Sequence, residues 1–282
     1  MSLTEGKFKK AYYEITNVCN ASCSFCPKNC RPPHFVSEDE FSTVISKLKN
    51  RAEYLYFHLM GEPLLHPNIT EFASKAKDEG FKVVITSNGI LSDTVGIPLV
   101  KKGNIYKISL SIHSYEANSF GMSLDKYISG CISLAEVCAE NGTVCVFRLW
   151  NLGTESDLNN KILSLLKERY TSEWKENRSG FKLSEYVFLE WGNRFNWPVE
   201  KAAQSEPAFC YALRDQIGIH SNGTVVPCCL DSEGKIPLGN IYTQSIEEIL
   251  ASPKAKKLFD GFSANTAIHS LCKGCQYATR FK

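Results

Sequence analysis

The chain has 282 residues, which is enough for one large domain or for one domain with a small appendage. With 32 basic and 30 acidic residues the formal net charge is +2. This balance argues against binding of nucleic acid or membranes through the overall electrostatic field of the protein. Positions 1–10 are polar and lack the apolar region of a signal peptide, and no apolar run approaches the roughly 18 residues of a membrane span. We therefore expect a cytoplasmic protein that binds neither nucleic acid nor membrane.

Strand-like apolar runs alternate with amphipathic helical runs through the first two thirds of the chain. The predicted strands are Ala11–Thr16, Glu53–Met60, Lys82–Thr86, Ile105–Ile112, Thr143–Leu149 and Tyr186–Glu190. Several are apolar on both faces, which is typical of buried parallel strands. Ser37 and Glu40 form a capping box at the start of the first predicted helix, whereas Gly96 and Pro98 interrupt the helix predicted between Ser87 and Asn104. Six strand–helix repeats predict a β/α barrel or a doubly wound sheet, and both bind ligands at the carboxyl ends of their strands.

The last third of the chain has a different pattern. Trp191–Pro207 is rich in Gly, Asn and Pro and predicts a connecting loop. Two short apolar runs, Asp215–His220 and Thr224–Cys228, flank a hairpin turn, and Ser245 with Glu248 predicts a capped helix. This part is small, so a bound metal would help it fold. We predict a main domain over residues 1–190, a linker over 191–204 and a small domain over 205–282.

Twelve cysteines are many for a chain of this kind, and their positions are more informative than their number. Disulfides are rare in a reducing compartment. Four cysteines fall within Cys19–Cys30 and five lie between Cys210 and Cys275, which indicates two metal sites. The other three, Cys131, Cys138 and Cys145, lie among apolar residues and are expected in the core.

The first group, Cys19, Cys23 and Cys26, has the spacing C-x3-C-x2-C and directly follows the first predicted strand. Three thiolates from one loop bind three corners of an iron–sulfur cubane and leave its fourth iron open, whereas protein cubanes normally take four cysteines. A zinc site with Cys30 as fourth ligand stays open as an alternative at this point.

This segment resembles the signature of the radical S-adenosylmethionine (SAM) superfamily. The resemblance implies a [4Fe–4S] cluster on Cys19, Cys23 and Cys26, with SAM on the open iron. Reductive cleavage of SAM then gives a 5′-deoxyadenosyl radical, which removes a hydrogen atom from the substrate. The fold it implies is a partial (β/α)6 TIM barrel, and the aromatic residue before the last cysteine, here Phe25, is expected near the adenine.

Further motifs of the same family follow in order at the ends of the next predicted strands. Met60-Gly61-Glu62-Pro63 resembles the turn that binds the SAM amino group, with Met60 in place of a glycine. Ser87-Asn88-Gly89 and the stretch from Ser109 to Ser114 resemble two further contact segments, with His113 at a position where aspartate is usual. The expected SAM contacts are thus Phe25, Gly61, Glu62, Ser87, Asn88, Ser111 and Arg148, the last as partner of the SAM carboxylate.

The second group of cysteines resembles the twitch domain, a short form of the SPASM domain. We assign Cys210, Cys228, Cys272 and Cys275 as ligands of an auxiliary [4Fe–4S] cluster, although Cys228 and Cys229 are interchangeable on the sequence alone. A zinc ribbon is the alternative, because the same spacing suits either metal. The expected cofactors are therefore SAM and two [4Fe–4S] clusters.

This layout is similar to that of a twitch-bearing SAM dehydrogenase that oxidises the hydroxyl of an aminocyclitol. It implies a radical SAM oxidoreductase that performs a two-electron oxidation or a related modification of a small polyol or aminocyclitol. A peptide substrate is the alternative, and an iron–sulfur electron carrier or redox sensor is the alternative from another class. Candidates for catalysis are His113, Glu190 and Arg194. The expected partners are the substrate and a reductant of the flavodoxin or ferredoxin type.

Overall fold

The structure is a computed structural model that describes residues 3–4, 6–118, 120–152, 158–200 and 209–281. Parts of the predicted linker and of the predicted small domain fall at 201–208 and 282, outside the described residues. Their boundaries stay a prediction.

Within the described residues, eleven strands form one open sheet. They are β1 (Phe8–Tyr13), β2 (Ala52–Tyr56), β3 (Lys82–Ser87), β4 (Lys107–Leu110), β5 (Val144–Leu152), β6 (Lys175–Asn177), β7 (Gly180–Ser184), β8 (Val187–Asn193), β9 (Gln216–Ile219), β10 (Thr224–Val226) and β11 (Gly239–Asn240). Their order is β11–β10–β9–β1–β2–β3–β4–β5–β8–β7–β6. Strands β1 to β5 and β8 are parallel neighbours in chain order, without the reversal of a doubly wound sheet. The fold is a partial β/α barrel, as the family resemblance implied.

Helices connect the parallel strands and continue after the sheet. They are α1 (Glu38–Leu48), α2 (Ile69–Asp78), α3 (Ile97–Lys101), α4 (Leu124–Glu140), α5 (Leu158–Arg169), α6 (Ile246–Ala251), α7 (Pro253–Ser263) and α8 (Ser270–Lys273). Short helical turns cover Pro63–Leu65, Ser92–Gly96, Ile112–Tyr115 and Gln276–Phe281. The predicted capping boxes of α1 and α6 are both present. In the part of the chain that the structure describes, no helix is long and apolar enough to span a bilayer.

Side chains on the parallel strands alternate between two environments, because successive residues of a strand point to opposite faces. One set is fully buried in the main core, as Ala11, Leu55 and Ile108 are. The other set lines a cavity inside the curved sheet, which we call the interior cavity. Its strand residues are Lys10, Tyr12, Tyr56, Val84, Thr86, Lys107, Ser109, Arg148, Trp150 and Glu190. The barrel therefore offers polar and aromatic groups on its concave face.

The C-terminal hairpin belongs to the same sheet as the barrel. Strand β9 pairs in parallel with β1, with Tyr12 opposite Gly218, and β10 returns antiparallel to β9. The Gly218 position is tight, since a Cβ there would lie 2.7 Å from Cγ2 of Val226. The region that follows the hairpin is thereby fixed against the first strand of the barrel.

Several predicted bounds differ from the structure. The first strand begins at Phe8 and ends at Tyr13, three residues earlier at each end than predicted, and β2 and β4 end before their predicted limits because short turns replace the strand at the carboxyl edge. Between β3 and β4 a wide helical turn at Ser92–Gly96 leads into α3. The antiparallel hairpin of β6 and β7 was not predicted, since Lys175–Asn177 is short and exposed at every position.

Candidate functional site

Three thiols of the loop after β1 line one cavity at the carboxyl edge of the sheet. Cys19, Cys23 and Cys26 border this space of about 360 Å³, which we call the cysteine cavity. A turn brings two of them together, because the backbone N–H of Cys26 donates to the carbonyl of Cys23 at 3.1 Å. These are the cysteines that border the cavity among the described residues. Three sulfur ligands fit a cubane that keeps one iron for another ligand.

Cys30, the possible fourth ligand of a zinc site, lies apart from this group. Its side chain is exposed and does not border the cysteine cavity. Its backbone N–H donates to the carboxylate of Glu233 at 3.1 Å, which holds this end of the loop against the C-terminal region. The arrangement thus offers three thiols to the cavity rather than the four of a closed zinc site.

Asparagine side chains support two of the three thiols. Nδ2 of Asn118 donates to Sγ of Cys23 at 3.0 Å, while its Oδ1 accepts from the backbone N–H of Ser22 at 2.7 Å. Nδ2 of Asn88 donates to Oδ1 of Asn20 at 2.7 Å and lies 3.9 Å from Sγ of Cys19. The sequence analysis missed Asn118, and its position in the loop after β4, beside the predicted SAM segment, was the available signal.

The pKa values of the three thiols are raised when no metal is bound. Burial, followed by the charges of Cys23 and Cys19, raises the pKa of Cys26 to about 12. Burial is also the main cause that raises the pKa of Cys19 and of Cys23. Because metal binding requires thiolates, a cationic centre would both neutralise this cluster of charges and release its protons. The donor set therefore fits an iron–sulfur cluster.

Gly61 holds the turn after β2 against the cysteine loop. Its φ of +75° is a left-handed conformation that favours glycine, and a Cβ would lie 2.3 Å from the carbonyl oxygen of Thr16. The next residue ties the two segments, since the backbone N–H of Glu62 donates to the carbonyl of Val18 at 2.8 Å. Close backbone approach is the reason for glycine at this position.

The buried carboxylate of Glu62 links the ends of β2 and β3. It accepts hydrogen bonds from the backbone N–H of Asn88 at 2.7 Å and of Leu64 at 3.0 Å. Burial outweighs these bonds and raises the pKa of Glu62 to about 7. A carboxyl poised near neutral pH in a cavity is a recurrent feature of functional sites.

The remaining expected SAM contacts divide between two cavities. Phe25, Ser87, Asn88 and Ser111 border the cysteine cavity together with Gly61 and Glu62. The ends of β3 and β4 are held together there, because the backbone N–H of Ser111 donates to the carbonyl of Ser87 at 2.8 Å. Arg148 instead borders the interior cavity, which has a volume of about 340 Å³.

All three candidates for catalysis border the interior cavity. Glu190 on β8 forms an ion pair with Lys107 on β4 at 3.7 Å. Arg194 is exposed in the following loop, with its guanidinium 5.8 Å from the ring centroid of Phe25. His113 is buried and borders both cavities, with its ring centroid 5.1 Å from that of Phe25.

The tautomer of His113 follows from its partner. Nδ1 lies 2.9 Å from the backbone carbonyl oxygen of Arg148 and 3.4 Å from the backbone nitrogen of Trp150. Because the carbonyl oxygen only accepts and is the nearer partner, we assign the proton to Nδ1. Burial lowers the pKa of His113 to about 4, so the ring is neutral at pH 7. Nε2 is then the nitrogen that is available as an acceptor.

A buried ion pair connects the cysteine loop with the C-terminal hairpin. Arg31 donates to both carboxylate oxygens of the fully buried Glu14, at 2.7 Å each. The same carboxylate accepts from the backbone N–H of Met60 at 3.0 Å and from the backbone and hydroxyl of Ser221 at 3.1 and 3.0 Å. Nε of Arg31 donates to the carbonyl of Ser232. We call this group the Glu14 junction; the sequence analysis did not find it.

The four thiols assigned to the second site surround a separate space. Cys210, Cys228, Cys272 and Cys275 border a small cavity of about 40 Å³, here the auxiliary cavity, whose other walls are mainly apolar. Four thiols are the donor set of a [4Fe–4S] cluster that is fully held by protein, and the same number would complete a zinc site.

Neighbouring cysteines at this site face different cavities. Cys228 borders the auxiliary cavity, whereas Cys229 borders the interior cavity. This placement separates two residues that the sequence left interchangeable.

The interior cavity adjoins both cysteine sites. It shares Phe25, His58, Ser111 and further lining residues with the cysteine cavity. It also shares Leu230 with the auxiliary cavity. A molecule in the interior cavity would therefore border the cysteine cavity directly and would be separated from the auxiliary cavity by Leu230.

Two family models match the chain. The model of the Radical SAM superfamily matches residues 13–157, which is just over half of the chain. The model of SPASM, an iron–sulfur cluster-binding domain, matches residues 210–276. The first match implies a [4Fe–4S] cluster and SAM, and the second implies an additional iron–sulfur cluster.

Curated relatives resemble this chain over different lengths. The antilisterial bacteriocin subtilosin biosynthesis protein AlbA of Bacillus subtilis is 23% identical over 298 residues, which cover 95% of this chain and 65% of AlbA. The GTP 3',8-cyclase of Chlorobaculum tepidum is 34% identical over 110 residues, which cover 38% of this chain and 33% of the cyclase. The chain thus spans just under two thirds of the first relative and a third of the second.

Solved structures share the fold along nearly the whole chain. BtrN in complex with AdoMet and 2-DOIA is 18% identical with a TM-score of 0.54, over 98% of this chain and 94% of BtrN. Streptococcus suis SuiB bound to precursor peptide SuiA is 14% identical with a TM-score of 0.58, over 96% of this chain and 71% of SuiB. The anSMEcpe structure with AdoMet and a Kp18Cys peptide is 15% identical with a TM-score of 0.63, over 95% of this chain and 86% of anSMEcpe.

Proposed function

Because the chain belongs to the radical SAM superfamily, we propose that it is an oxidoreductase that takes two electrons from a substrate held in the interior cavity. The observation that carries this proposal is that the interior cavity shares seven lining residues with the cysteine cavity and Leu230 with the auxiliary cavity. A substrate in the interior cavity would border the residues proposed to hold SAM, which would supply the hydrogen abstraction, and would lie across Leu230 from the cysteines proposed to hold the auxiliary cluster, which would supply an electron acceptor. An enzyme with a single cysteine site would lack the second of these neighbours.

The cofactors supply the radical chemistry, and the chain supplies position and exclusion of water. When bound, the first cluster and SAM supply a carbon-centred radical that removes hydrogen, and the auxiliary cluster supplies an electron acceptor. We propose that SAM is held by Phe25, Gly61, Glu62, Ser87, Asn88 and Ser111, which all border the cysteine cavity. Aromatic side chains of the interior cavity, such as Tyr12 and Tyr56, would enclose the substrate.

Oxidation also releases a proton from the substrate, and His113 is our candidate acceptor. Its Nδ1–H is committed to the carbonyl of Arg148, so the neutral ring presents Nε2 as a base. Its low pKa makes it a weak base, which suffices because an α-hydroxy radical becomes strongly acidic as it loses an electron. Glu190 is less suited, because its carboxylate is already paired with Lys107 at 3.7 Å.

The substrate is proposed as a small organic molecule or a short segment of a peptide. A cavity of about 340 Å³ is of the size that encloses small ligands. A peptide is favoured as the second candidate by the match to AlbA, a bacteriocin biosynthesis protein, along 95% of this chain. The reductant is proposed to be of the flavodoxin or ferredoxin type.

Anaerobic turnover of the reconstituted chain tests the proposal. With SAM and dithionite or reduced flavodoxin, we expect 5′-deoxyadenosine and methionine in equal amounts. An iron–sulfur electron carrier or redox sensor would form neither product. With a substrate, we expect one oxidised product per SAM. Replacing Cys272 and Cys275 together by alanine should preserve 5′-deoxyadenosine formation and stop oxidation of the substrate. Full oxidation by this variant would contradict the proposed role of the auxiliary site.

A further inference from the structure

The interior cavity carries more positive charge than its carboxylate neutralises. Its lining includes the basic residues Lys10, Lys107, Arg148 and Arg194, against the acidic Glu190. Lys107 pairs with Glu190 at 3.7 Å. Among the described residues the other three basic side chains have no carboxylate within 4 Å, so a ligand of this cavity meets an excess of positive charge.

Arg148 is half-buried, as Lys10 and Lys107 are, but one nitrogen of its guanidinium group is shielded from solvent. Its Nε is buried and has no hydrogen-bond partner in the described part of the chain. Its guanidinium carbon lies 3.5 Å from the ring centroid of Trp150, which fixes the plane of the group but accepts no hydrogen bond in that plane. Nδ1 of His58, on the same cavity, is likewise buried without a partner. Buried polar atoms are rarely left unpaired, so these atoms point to a ligand.

We propose that Arg148 binds a carboxylate of the substrate, and that the substrate is an acid whose carboxylate is joined to a short apolar or aromatic group. A planar guanidinium matches a carboxylate with two parallel hydrogen bonds. The walls beside it are aromatic, with Tyr12, Tyr56 and Trp150 among them. The inference rests on the proposed function only in taking the interior cavity as the substrate site. It disfavours a cationic aminocyclitol, which the same charges would repel.

Two other partners for Arg148 fit its position less well. The SAM carboxylate, expected from the sequence, would lie with the SAM contacts on the cysteine cavity, which Arg148 does not border. The cysteines of the auxiliary site border the auxiliary cavity, and Arg148 does not line that cavity either. Of the six proposed SAM contacts, only Phe25 and Ser111 also line the interior cavity. We therefore assign Arg148 to the substrate rather than to SAM.

Binding measured without reductant tests the proposal on the holoenzyme with SAM bound. The probes for anaerobic calorimetry are 3-phenylpropanoate, 3-phenylpropanol and 3-phenylpropylamine, which differ in charge on one stem. N-acetylphenylalanine and its amide distinguish a peptide-terminal carboxylate from a free acid. We expect each acid to bind at least about tenfold more tightly than its neutral counterpart. Binding of 3-phenylpropanoate alone would assign the small-molecule source, and binding of both acids the peptide terminus as well.

Variants locate the effect. Arg148→Gln should abolish the preference for the acids while SAM affinity and iron content stay unchanged, and Arg148→Lys should keep part of the preference through its charge. Arg169→Gln removes one positive charge outside the interior cavity, where the exposed Arg169 pairs with the half-buried Glu136, and should keep the preference. Equal affinities for the three phenylpropyl probes would overturn the proposal, as would an acid preference that survives in Arg148→Gln. A variant that loses SAM affinity and retains the acid preference would also overturn it. Because no turnover is needed, absence of SAM cleavage would count against the proposed function alone.

Discussion

The thiols of the first loop differ in what they face, and this difference predicts their roles. Cys26→Ser should lower the iron content of the reconstituted chain from about eight atoms to about four, since one cubane is lost. Cys30→Ser is the matched control, because this exposed side chain does not border the cysteine cavity. It should keep about eight atoms. Iron analysis after anaerobic reconstitution measures both, and loss of the first cluster in Cys30→Ser would restore the four-ligand alternative.

The adjacent pair Cys228 and Cys229 gives a second test at the residue scale. Because Cys228 borders the auxiliary cavity and Cys229 the interior cavity, Cys228→Ser should lose the auxiliary cluster and Cys229→Ser should keep it. Iron content and the electronic absorption of the clusters measure this. The reverse outcome would mean that the two cysteines exchange places when the metal binds.

Glu62 predicts a pH dependence of SAM binding. Burial raises the pKa of its carboxyl to about 7, and the ionised form accepts hydrogen bonds from an amino group better than the protonated form. SAM should therefore bind about tenfold more tightly at pH 8 than at pH 6, as the carboxyl ionises across this range. Calorimetry on the oxidised holoenzyme measures the affinity. Glu62→Gln should show a flatter dependence, and an unchanged pH profile in that variant would remove Glu62 from the SAM site.

At the scale of elements, the Glu14 junction couples three segments that are distant in sequence. Glu14 lies at the end of β1, and its partners belong to the cysteine loop, to the turn after β2 and to the turn between β9 and β10. Such a carboxylate organises the loop of the first cluster and the C-terminal hairpin at the same time. Its partners at positions 31 and 221 are 17 and 207 residues away, so sequence periodicity gave no indication of it.

Loss of the junction should destabilise the fold. Glu14→Gln leaves Arg31 largely buried without its carboxylate, and breaking such a pair costs roughly 3–5 kcal/mol. Glu38→Gln is the control, because Glu38 and Lys75 form an exposed pair, worth less than about 1 kcal/mol. Urea unfolding of the reconstituted chains under nitrogen compares them. Equal midpoints for Glu14→Gln and Glu38→Gln would show that the junction is not structurally important.

The junction also has a defined pH signature. Burial alone would raise the pKa of Glu14, but the hydrogen bonds and charge of Arg31 lower it below the ordinary value of 4.5. A carboxyl with a depressed pKa in the folded state stabilises the fold above pH 4.5 and loses that contribution as the pH falls through the folded value. The stability difference between the native chain and Glu14→Gln should therefore be constant near pH 7 and shrink in acid. A difference that grows in acid would contradict the assignment.

The elements that the sequence predicted well are those with a strong local pattern. The buried parallel strands and the capping boxes depend on neighbouring residues, and both appear in the structure. The hairpin of β6 and β7 has little local pattern, because its three-residue strand is exposed throughout. Pairing of β9 with β1 is equally invisible locally, since it joins Lys10 to Gln216.

At the scale of the whole molecule, the single sheet explains how two cysteine sites meet. The motifs at the ends of β1 to β4 assemble one site, and β9, paired with β1, brings the second region to the same concave face. The order of the motifs allowed the first part to be predicted. Three features of the sites depend on tertiary packing and have no local sequence pattern. They are the contact of Asn118 with Cys23, the Glu14 junction, and the different cavities that Cys228 and Cys229 border.

We expect the first cluster to keep one iron open for SAM and the second to be fully held by protein. Electron–nuclear double resonance on the reduced chain, with SAM labelled by ¹⁵N in its amino group and ¹⁷O in its carboxylate, tests it directly. We expect hyperfine coupling to both labels in the native chain and in the variant with Cys272 and Cys275 replaced by alanine, and none in Cys26→Ser. Absence of coupling in a chain that holds about eight iron atoms, or its loss only in the auxiliary-site variant, would contradict the account.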